Sequence, residues 1–260
     1  MGGIAVSKTR ITDRGLQYDR RYMLVDENNL FLTQRKYPAM ALLRTVIERD
    51  RLLVYAKNSI KEKLILPLVP EPTTATTLVK IWDDHCEAQL IGKKADDWFS
   101  VQLGISCRLV YMPESTKRKV DVKYALNKEI TSFADGFPIL IIGQSSLDDL
   151  NSRLKEPLPM NRFRPNIVFT GGNPFEEDDM EYFSINDLSF YGVKLSARCV
   201  ITTTDQETGI VTGKEPLKSL SKYRMTNNKV LFGQNAVSKN DGKICIGDSI
   251  IIFKRKSDFS

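Results

Sequence analysis

The chain has 260 residues, of which 42% are hydrophobic, and its formal net charge is +6. That length and composition predict one large domain or two of ordinary size, with enough apolar side chains for a true core. No apolar run approaches the length of a membrane span, and no N-terminal segment resembles a signal peptide. We therefore expect a cytoplasmic protein without a membrane partner.

The cysteines and the charge pattern argue against several classes of protein. The four cysteines are Cys86, Cys107, Cys199 and Cys245, and they form no Cys-x-x-Cys pair. Their spacing argues against a zinc ribbon, an iron–sulfur cluster held by this chain alone and a disulfide framework. The densest basic cluster, Lys117–Lys119, is short and predicts a solvated loop. Without a basic stripe carrying interleaved aromatic residues, nucleic acid is not an expected partner.

The first part of the chain is rich in short β-type runs. They lie at Arg21–Asp26, Leu30–Thr33, Ala41–Glu48, Leu52–Lys57, Lys63–Pro67, Thr77–Trp82 and Arg108–Met112. Many short strands at close spacing indicate a β-barrel or a sandwich, with hairpins at the first two pairs of runs. One helix is predicted at Ala95–Leu103, and Gly104 fits its C-terminal end. The charged segment Pro113–Asn127 is the predicted domain boundary.

The second part begins with an apolar run at Pro138–Gly143 that predicts a buried strand. Ser145 or Ser146 is then predicted to cap a helix with Leu147, Leu150 and Leu154 on one side. Further strands are predicted at Ile167–Thr170, Phe183–Ile185, Leu188–Val193, Val230–Phe232, Asn235–Val237 and Lys243–Phe253, with a short helix at Glu215–Arg224. The predicted fold class is mostly β with a few helices.

Cys199 is the cysteine with the most suggestive surroundings. It follows Arg198 and precedes Val200–Thr204, a β-branched run that predicts a strand, and Asp205–Gly209 then has the composition of a turn. A neighbouring guanidinium favours the thiolate, which is the form of cysteine that attacks electrophiles and binds metals. The alternative is that Cys199 is a small buried hydrophobic residue, since free cysteine is often buried.

Arg162, Arg164 and Asn166 alternate along one segment. Pro165 biases Arg164 towards extended geometry, and residues two apart in a strand share a face. Arg164 and Asn166 would then present a guanidinium and an amide together, a pair suited to a phosphate or a polar heterocycle. The alternative is a surface salt bridge beside a turn-forming asparagine. Gly233 marks either close approach of a ligand or a bulge, and Cys86, Cys107 and Cys245 are predicted to pack in the core.

Several segments together resemble the MOSC family. They are Asn161–Val168, Ser196–Gly209, Glu215–Lys218 and Phe232–Asn235, supported by Arg21–Val25, Ile81–Asp84 and Phe133–Pro138. This family is related to the C-terminal domain of molybdenum cofactor sulfurase, and its most similar members are bacterial MOSC proteins and the mitochondrial amidoxime-reducing component. The resemblance implies a MOSC N-terminal β-barrel-like domain over residues 1–113 and a MOSC β-barrel domain over residues 114–260, with molybdenum cofactor (molybdopterin) between them.

The resemblance also implies a set of site residues. Cys199 matches the catalytic cysteine that ligates molybdenum in the family. Positions that match cofactor contacts are Arg21, Gly136, Phe137, Arg164, Asn166, Ala197, Arg198 and Asn235. The implied activity is reduction of small N-hydroxylated substrates, or related N–O and S–O compounds. The electrons would come from a separate ferredoxin- or cytochrome-type donor protein with its reductase. Pyridoxal phosphate binding is a further family-level association.

Two other functions stay open on the sequence. Cys199 would serve equally in a protein that carries molybdenum cofactor or a sulfane sulfur, and a degenerate copy would bind no cofactor. The family also usually begins with a strand ending in Tyr-Pro-x-Lys-Ser, and this chain starts, with Met1-Gly2-Gly3-Ile4, just after the place where that motif should lie. We therefore expect about five to ten further residues upstream in the native gene, or weak cofactor binding.

Overall fold

A computed structural model describes residues 1–256 of the chain, and the fold is mostly β with three α-helices. The strands of the first part are β1 Lys8–Thr12, β2 Gly15–Leu16, β3 Tyr22–Val25, β4 Leu43–Glu48, β5 Arg51–Ala56, β6 Ser59–Pro67, β7 Thr76–Ile81, β8 Asp84–Leu90 and β9 Arg108–Tyr111. Those of the second part are β10 Arg118–Lys119, β11 Ile130–Thr131, β12 Ile139–Gly143, β13 Ile167–Phe169, β14 Met180–Ile185, β15 Leu188–Ala197, β16 Met225–Thr226, β17 Lys229–Ser238, β18 Gly242–Cys245 and β19 Ile250–Arg255. The helices are α1 Lys93–Leu103, α2 Gln144–Ser152 and α3 Leu217–Leu220. The predicted fold class is confirmed.

Two antiparallel sheets form the first part of the molecule. One has the order β4-β5-β6 and the other the order β3-β9-β8-β7. The predicted hairpin of β4 and β5 is confirmed, with Leu43 opposite Ala56 and Glu48 opposite Arg51. The apolar side chains of these sheets enclose a core with α1, in which Leu24, Leu43, Val54, Phe99 and Leu109 are at most 2% exposed.

Helix α1 forms where the sequence predicts it, because its determinants are local. Ala95 and Phe99 lie four residues apart on the buried face. Gly104 takes the left-handed conformation with φ 65°, and its amide donates to the carbonyl of Ser100. A residue without Cβ adopts that conformation at little cost, which is why the helix ends there.

A seven-stranded sheet forms most of the second part. Its order is β13-β12-β17-β15-β14-β19, with β16 paired to β17. Only β12 and β13 run parallel, and the connection between them contains α2. The long strands β15 and β17 carry the site described below, so this sheet is the rigid element that positions it.

The first strand of the chain belongs to the second core. Strand β1 pairs antiparallel with β18, placing Lys8 opposite Cys245. Ile11 of β1 is fully buried in the same cluster as Phe183 and Phe190. Residues from the start of the chain therefore form a separate three-stranded sheet, β18-β1-β2, with a strand from its last part, and a domain boundary at residues 113/114 stays a prediction.

Several local predictions are wrong for identifiable reasons. Leu30 and Phe31 form only isolated bridges instead of a strand. Gly143, not a serine, occupies the cap of α2, because the Ser146 hydroxyl donates to the Glu177 carboxylate at 2.7 Å. Cys245 is exposed and does not pack in the core, whereas Cys86 and Cys107 are buried as predicted.

Two further points concern long segments. The predicted strands Val230–Phe232 and Asn235–Val237 are one continuous strand, β17, and the predicted strand Lys243–Phe253 is divided into β18 and β19 around Gly247. Within residues 1–256, no helix combines the length and the apolar character needed to cross a membrane.

Candidate functional site

Cys199 lies where β15 leaves the sheet. The Arg198 amide still donates to the Val230 carbonyl at 2.7 Å, so the backbone is held by β17 up to that residue. Cys199 is extended (φ −126°, ψ 179°) and half-buried, and its carbonyl accepts from the Thr202 amide at 3.1 Å and hydroxyl at 3.0 Å. The thiol is therefore attached to a fixed backbone and reachable from outside.

The segment after Cys199 is a 3-10 helix, Val200–Thr203, and the predicted strand there is wrong. Threonine is β-branched, but its hydroxyl can also bond to nearby backbone carbonyls and so favour a turn. The Thr203 hydroxyl donates to the Val200 carbonyl at 2.7 Å, as Thr202 does to Cys199. The predicted turn at Asp205–Gly209 is confirmed, since Gly209 has φ 68° and its amide donates to the Asp205 carbonyl at 2.8 Å.

Arg162 holds this turn from the second part of the molecule. Its guanidinium donates to the Thr203 carbonyl at 2.9 Å and to the Asp205 carboxylate at 2.8 Å, and the residue is only 5% exposed. Arg162 therefore does not share a face with Arg164 in an extended segment, because Met160–Arg162 is a 3-10 helix. The guanidinium of Arg162 fixes the backbone of the segment that follows Cys199.

The first part of the molecule holds the same turn from the other side. Arg44 donates to the Gln206 carbonyl at 3.1 Å and pairs with the Glu207 carboxylate at 2.8 Å. The buried Gln206 amide donates to the Gln34 side chain at 3.1 Å, and Lys57 reaches Glu207 at 3.0 Å. The turn that follows Cys199 is therefore held by contacts from both parts of the chain.

Arg164 adopts a left-handed backbone with φ 55°, and the predicted extended geometry is wrong. Such a conformation is costly for a residue with a Cβ and persists only when its surroundings fix it. The Arg164 guanidinium donates to the Met1 carbonyl at 3.0 Å. Burial lowers the pKa of Arg164 to about 10, with a further contribution from the positive charge of Arg20 and a smaller one from Arg198.

Arg198 is the second guanidinium of the site. It donates to the Phe163 carbonyl at 2.7 Å and to the Ser196 hydroxyl at 2.9 Å. Its Nε is buried and, within residues 1–256, has no hydrogen-bond partner. Burial lowers the pKa of Arg198 to about 10, against the opposing influence of Cys199 and of Asp135.

These arginines create a local excess of positive charge. Arg164 and Arg198 are densely surrounded by protein atoms, yet both keep part of their surface accessible. The charge of Arg20 also acts on Arg164, and the nearby carboxylates of Asp19 and Asp135 offset this group only partly. A buried group of like charges is stabilised by an anion, so the residues present fit a cofactor with a phosphate and polar ring edges.

Asn166 and Asn235 lie in one row across the sheet. Asn166 stands next to Leu140, Leu140 opposite Asn235, and Asn235 opposite Lys194. The Asn166 side chain accepts from the Leu140 amide at 3.0 Å and donates to Asp19 at 2.8 Å, so it is used within the fold. Asn235 is half-buried, so part of the residue remains accessible to a ligand.

Arg21 is placed differently from Arg20. Its Nε and Nη2 donate to the Met112 carbonyl at 3.1 and 2.5 Å, and Nη1 pairs with Glu114 at 2.7 Å. Its guanidinium also stacks over the Tyr111 ring at 5.0 Å. A cofactor contact by Arg21 stays a prediction, while Arg20 is a residue that sequence reasoning missed. Arg20 lies in a turn with a left-handed backbone (φ 53°), and the sequence Arg-Arg does not reveal which of the two side chains faces the site.

The remaining predicted positions lie around the same sheet edge. Ala197 is exposed at the end of β15, opposite Leu231. Gly136 and Phe137 are half-buried just before β12. The Lys194 ammonium lies 5.6 Å from the centre of the Phe137 ring and therefore connects Phe137 to the row that contains Asn235.

Gly233 marks a bulge in β17. It has φ 83°, and the register of β17 with β15 shifts between Leu195 and Ala197. A Cβ at Gly233 would lie 2.7 Å from Ile142 Cγ1. The close approach at this glycine is therefore to the neighbouring strand.

Arg118 corrects the prediction that Lys117–Lys119 is a solvated loop. Arg118 is 5% exposed and lies in β10, which pairs with β11. Its guanidinium donates to the carbonyls of Ser132 and Asp135, both at 3.0 Å, and pairs with Asp84 at 2.8 Å. Nothing in the local composition distinguishes this buried arginine from its two lysine neighbours.

Neither a metal cluster nor a large cleft marks the site by itself. Residues 1–256 contain no group of three or more His, Cys, Asp or Glu side chains arranged to hold a metal ion. A cleft of about 430 Å³ between the β10–β11 region and the turn after β17 contains none of the arginines described above. The site is recognised by its charge and by the half-buried thiol of Cys199.

Comparisons with known proteins identify the family of the chain. The MOSC N-terminal beta barrel domain model matches residues 1–106, and the MOSC domain model matches residues 128–251. Mitochondrial amidoxime-reducing component 1 of Mus musculus is 31% identical over 267 residues, covering 96% of this chain and 78% of that protein. Mitochondrial amidoxime reducing component 2 of Rattus norvegicus is also 31% identical, covering 95% of this chain and 78% of that protein.

Two more distant similarities complete the comparison. The molybdenum cofactor sulfurase of Oryza sativa subsp. japonica is 30% identical over 89% of this chain, which corresponds to 30% of that protein. A solution structure of a protein from Bordetella bronchiseptica shares 19% identity with a TM-score of 0.33, over 39% of this chain and 84% of that one. The two domain models and the amidoxime-reducing components extend over nearly the whole sequence, and the chain belongs to the MOSC-domain family.

Proposed function

We propose that the chain is a molybdenum-cofactor-dependent oxidoreductase that reduces N-hydroxylated or related N–O and S–O substrates. The observation that carries the proposal is the accessible Cys199 thiol beside Arg164 and Arg198, whose charges are only partly compensated. The names of the relatives support the same activity, since they include amidoxime-reducing components. Electrons would come from a separate donor protein of ferredoxin or cytochrome type with its reductase.

Each site residue has a distinct role in this proposal. Cys199 would hold the metal through its thiolate, a soft ligand that molybdenum accepts. Arg164 and Arg198 would bind the anionic part of the cofactor, and Arg198 Nε provides an unused donor for it. Asn235 would bind a polar ring edge. When bound, the cofactor supplies two-electron redox chemistry at molybdenum.

The overall reaction balances without any further reactant. The substrate N–O bond breaks as two electrons from the donor protein and two protons are taken up, and the oxygen leaves as water. The chain contributes by fixing Cys199 against movement during this change. Arg162 and Arg44 hold the turn that follows Cys199 from opposite sides, which preorganises the ligand.

A second candidate function has its own support. The chain would instead carry molybdenum cofactor or a sulfane sulfur on Cys199, because molybdenum cofactor sulfurase is similar over 89% of the chain. A carrier requires an accessible thiol, and Cys199 is half-buried rather than enclosed. Mass spectrometry of the purified chain would show a persulfide on Cys199 in that case, without turnover.

The experiment compares Cys199→Ser with Cys245→Ser, since both thiols reach the surface. Purified proteins are analysed for molybdenum and pterin, and benzamidoxime reduction is followed with chemically reduced benzyl viologen as electron donor. We expect wild type and Cys245→Ser to contain metal and reduce the substrate, and Cys199→Ser to do neither while keeping its thermal unfolding midpoint. Full activity in Cys199→Ser would refute the role of this thiol.

A further inference from the structure

The segment before β12 is held in place by Arg118. The guanidinium donates to the carbonyls of Ser132 and Asp135 at 3.0 Å each, and also to the Ala134 carbonyl at 2.5 Å. A planar group with several donors in fixed directions holds consecutive carbonyls in one arrangement. The backbone of Asp135 is therefore fixed, directly before Gly136 and Phe137.

The side chain of Asp135 is held by Trp82, which comes from the turn between β7 and β8. The indole Nε1 donates to the Asp135 carboxylate at 3.3 Å. Trp82 itself is fixed by the Arg35 guanidinium 4.1 Å above its ring and by the edge of Phe31 at 4.9 Å. The indole is nevertheless 38% exposed, so it forms part of an open surface beside the carboxylate.

Asp135 is a carboxylate without a cation of its own in the described chain. It is exposed and makes no salt bridge within residues 1–256, yet its charge acts on both Arg164 and Arg198. One oxygen accepts from Trp82, and the carboxylate has room for further donors. An exposed acceptor with room for further donors therefore lies near arginines that otherwise present positive charge.

Charge decides which substrates such a site admits. The cluster of arginines would repel a cation and would offer no acceptor to an N–H group, whereas a carboxylate pairs with an amidine through two parallel hydrogen bonds. The exposed face of Trp82 also suits the planar group of such a compound. An amidoxime carries an amino group, and its amidine product is a cation at neutral pH.

We propose that Asp135, held by Arg118 and Trp82, selects amidoximes and related amino-bearing N-hydroxy substrates over N-oxides and sulfoxides that lack N–H donors. The inference rests on the proposed function and names its substrate class. Asp135 acts through direct contact with the amino group, while Arg118 and Trp82 are positioning residues.

Binding is measured by calorimetry with benzamidine, the product of the test reaction, on the purified chain of known metal content. The matched variants are Asp135→Asn and Asp83→Asn, because Asp83 is an exposed carboxylate next to Trp82. We expect Asp135→Asn to weaken benzamidine binding about tenfold or more, as for loss of a charge-assisted pair, and Asp83→Asn to leave it unchanged. Binding of benzamide, which is neutral, should be weakened less by Asp135→Asn than binding of benzamidine.

A counter-ion role gives a different result. If Asp135 only compensates the arginines, Asp135→Asn strengthens binding of inorganic phosphate and leaves benzamidine binding as in wild type, which overturns the proposal. Asp135→Glu restores a carboxylate and is expected to recover part of the benzamidine affinity.

Kinetics then separate this inference from the proposed function. With reduced viologen, Asp135→Asn should lower kcat/KM for benzamidoxime at least tenfold relative to that for pyridine N-oxide. An unchanged ratio in an active variant refutes the selection role alone. If wild type reduces neither compound although it contains the cofactor, the proposed function fails, and benzamidine binding still reports whether Asp135 recognises amidines.

Discussion

Glu177 gives a prediction whose magnitude follows from the structure. This carboxyl group is fully buried; one oxygen accepts from the Ser146 hydroxyl at 2.7 Å, and the other has no partner within residues 1–256. Burial raises the pKa of Glu177 from 4.5 to about 7, although the Ser146 hydrogen bond opposes the shift. The folded protein therefore favours the protonated form.

The sign of the effect on stability follows from that shift. The unfolded chain ionises near pH 4.5 and the folded chain near pH 7, so the free energy of unfolding falls as the pH rises between these values. A difference of roughly 2.5 pKa units at 1.36 kcal/mol per unit corresponds to a loss of about 3 kcal/mol above pH 7. Below pH 4.5 the carboxyl group is protonated in both states, and none of this free energy of unfolding is lost.

Glu177→Gln removes the ionisation while keeping the shape of the side chain. Thermal unfolding midpoints of wild type and variant are compared from pH 5 to pH 8, with Glu156→Gln as an exposed control. We expect the thermal unfolding midpoint of the variant to rise relative to that of wild type as the pH rises. At pH 8 the variant should unfold at a clearly higher temperature. A difference between the two proteins that stays constant over this range would refute the reasoning.

Three further substitutions test the site and its support. Arg164→Ala should lose roughly 1.5–3 kcal/mol of cofactor binding, about ten- to a hundredfold in retention, measured as pterin per protein after dialysis; retention equal to wild type would mean that the site is misplaced. Arg20→Ala should also purify with less cofactor, and Arg21→Ala should instead lower the thermal midpoint because Arg21 binds the Met112 carbonyl; equal retention in both would contradict the placement of Arg20. Arg162→Ala should destabilise the chain by about 3 kcal/mol by leaving buried partners unpaired, which chemical denaturation measures, and a change below about 0.5 kcal/mol would contradict this role of Arg162.

Elements whose determinants are local were predictable from the sequence. Helix α1 and its end at Gly104 depend on apolar spacing and on one glycine, and the β4–β5 hairpin depends on two apolar runs around a charged turn. The cluster of Arg164, Arg198 and Cys199 was brought together by resemblance to a family rather than by any local pattern. In the structure the two arginines are linked through the backbone, because Arg198 donates to the carbonyl of Phe163, the residue before Arg164.

What the sequence did not predict has two causes. The left-handed conformation of Arg164 opposes the preference of a residue before proline, and its surroundings determine it. The 3-10 helix after Cys199 opposes the β preference of its threonines, because their hydroxyls bond to carbonyls three residues earlier. The sequence predicts that Arg118 faces solvent, yet its guanidinium donates to backbone carbonyls fourteen to seventeen residues away. Tertiary context decides such positions, and one sequence carries little information about it.

The pairing of β1 with β18 has a consequence for how the molecule assembles. Lys8 and Cys245 are neighbours in space but stand at opposite ends of the described sequence. During synthesis, β1 can pair with β2 at once, but its other edge has no partner until β18 has left the ribosome, so this closure is a late and slow step. Until then that edge of β1 is unpaired and invites contact with other chains. A nascent molecule is thus most vulnerable to aggregation just before its final strands arrive.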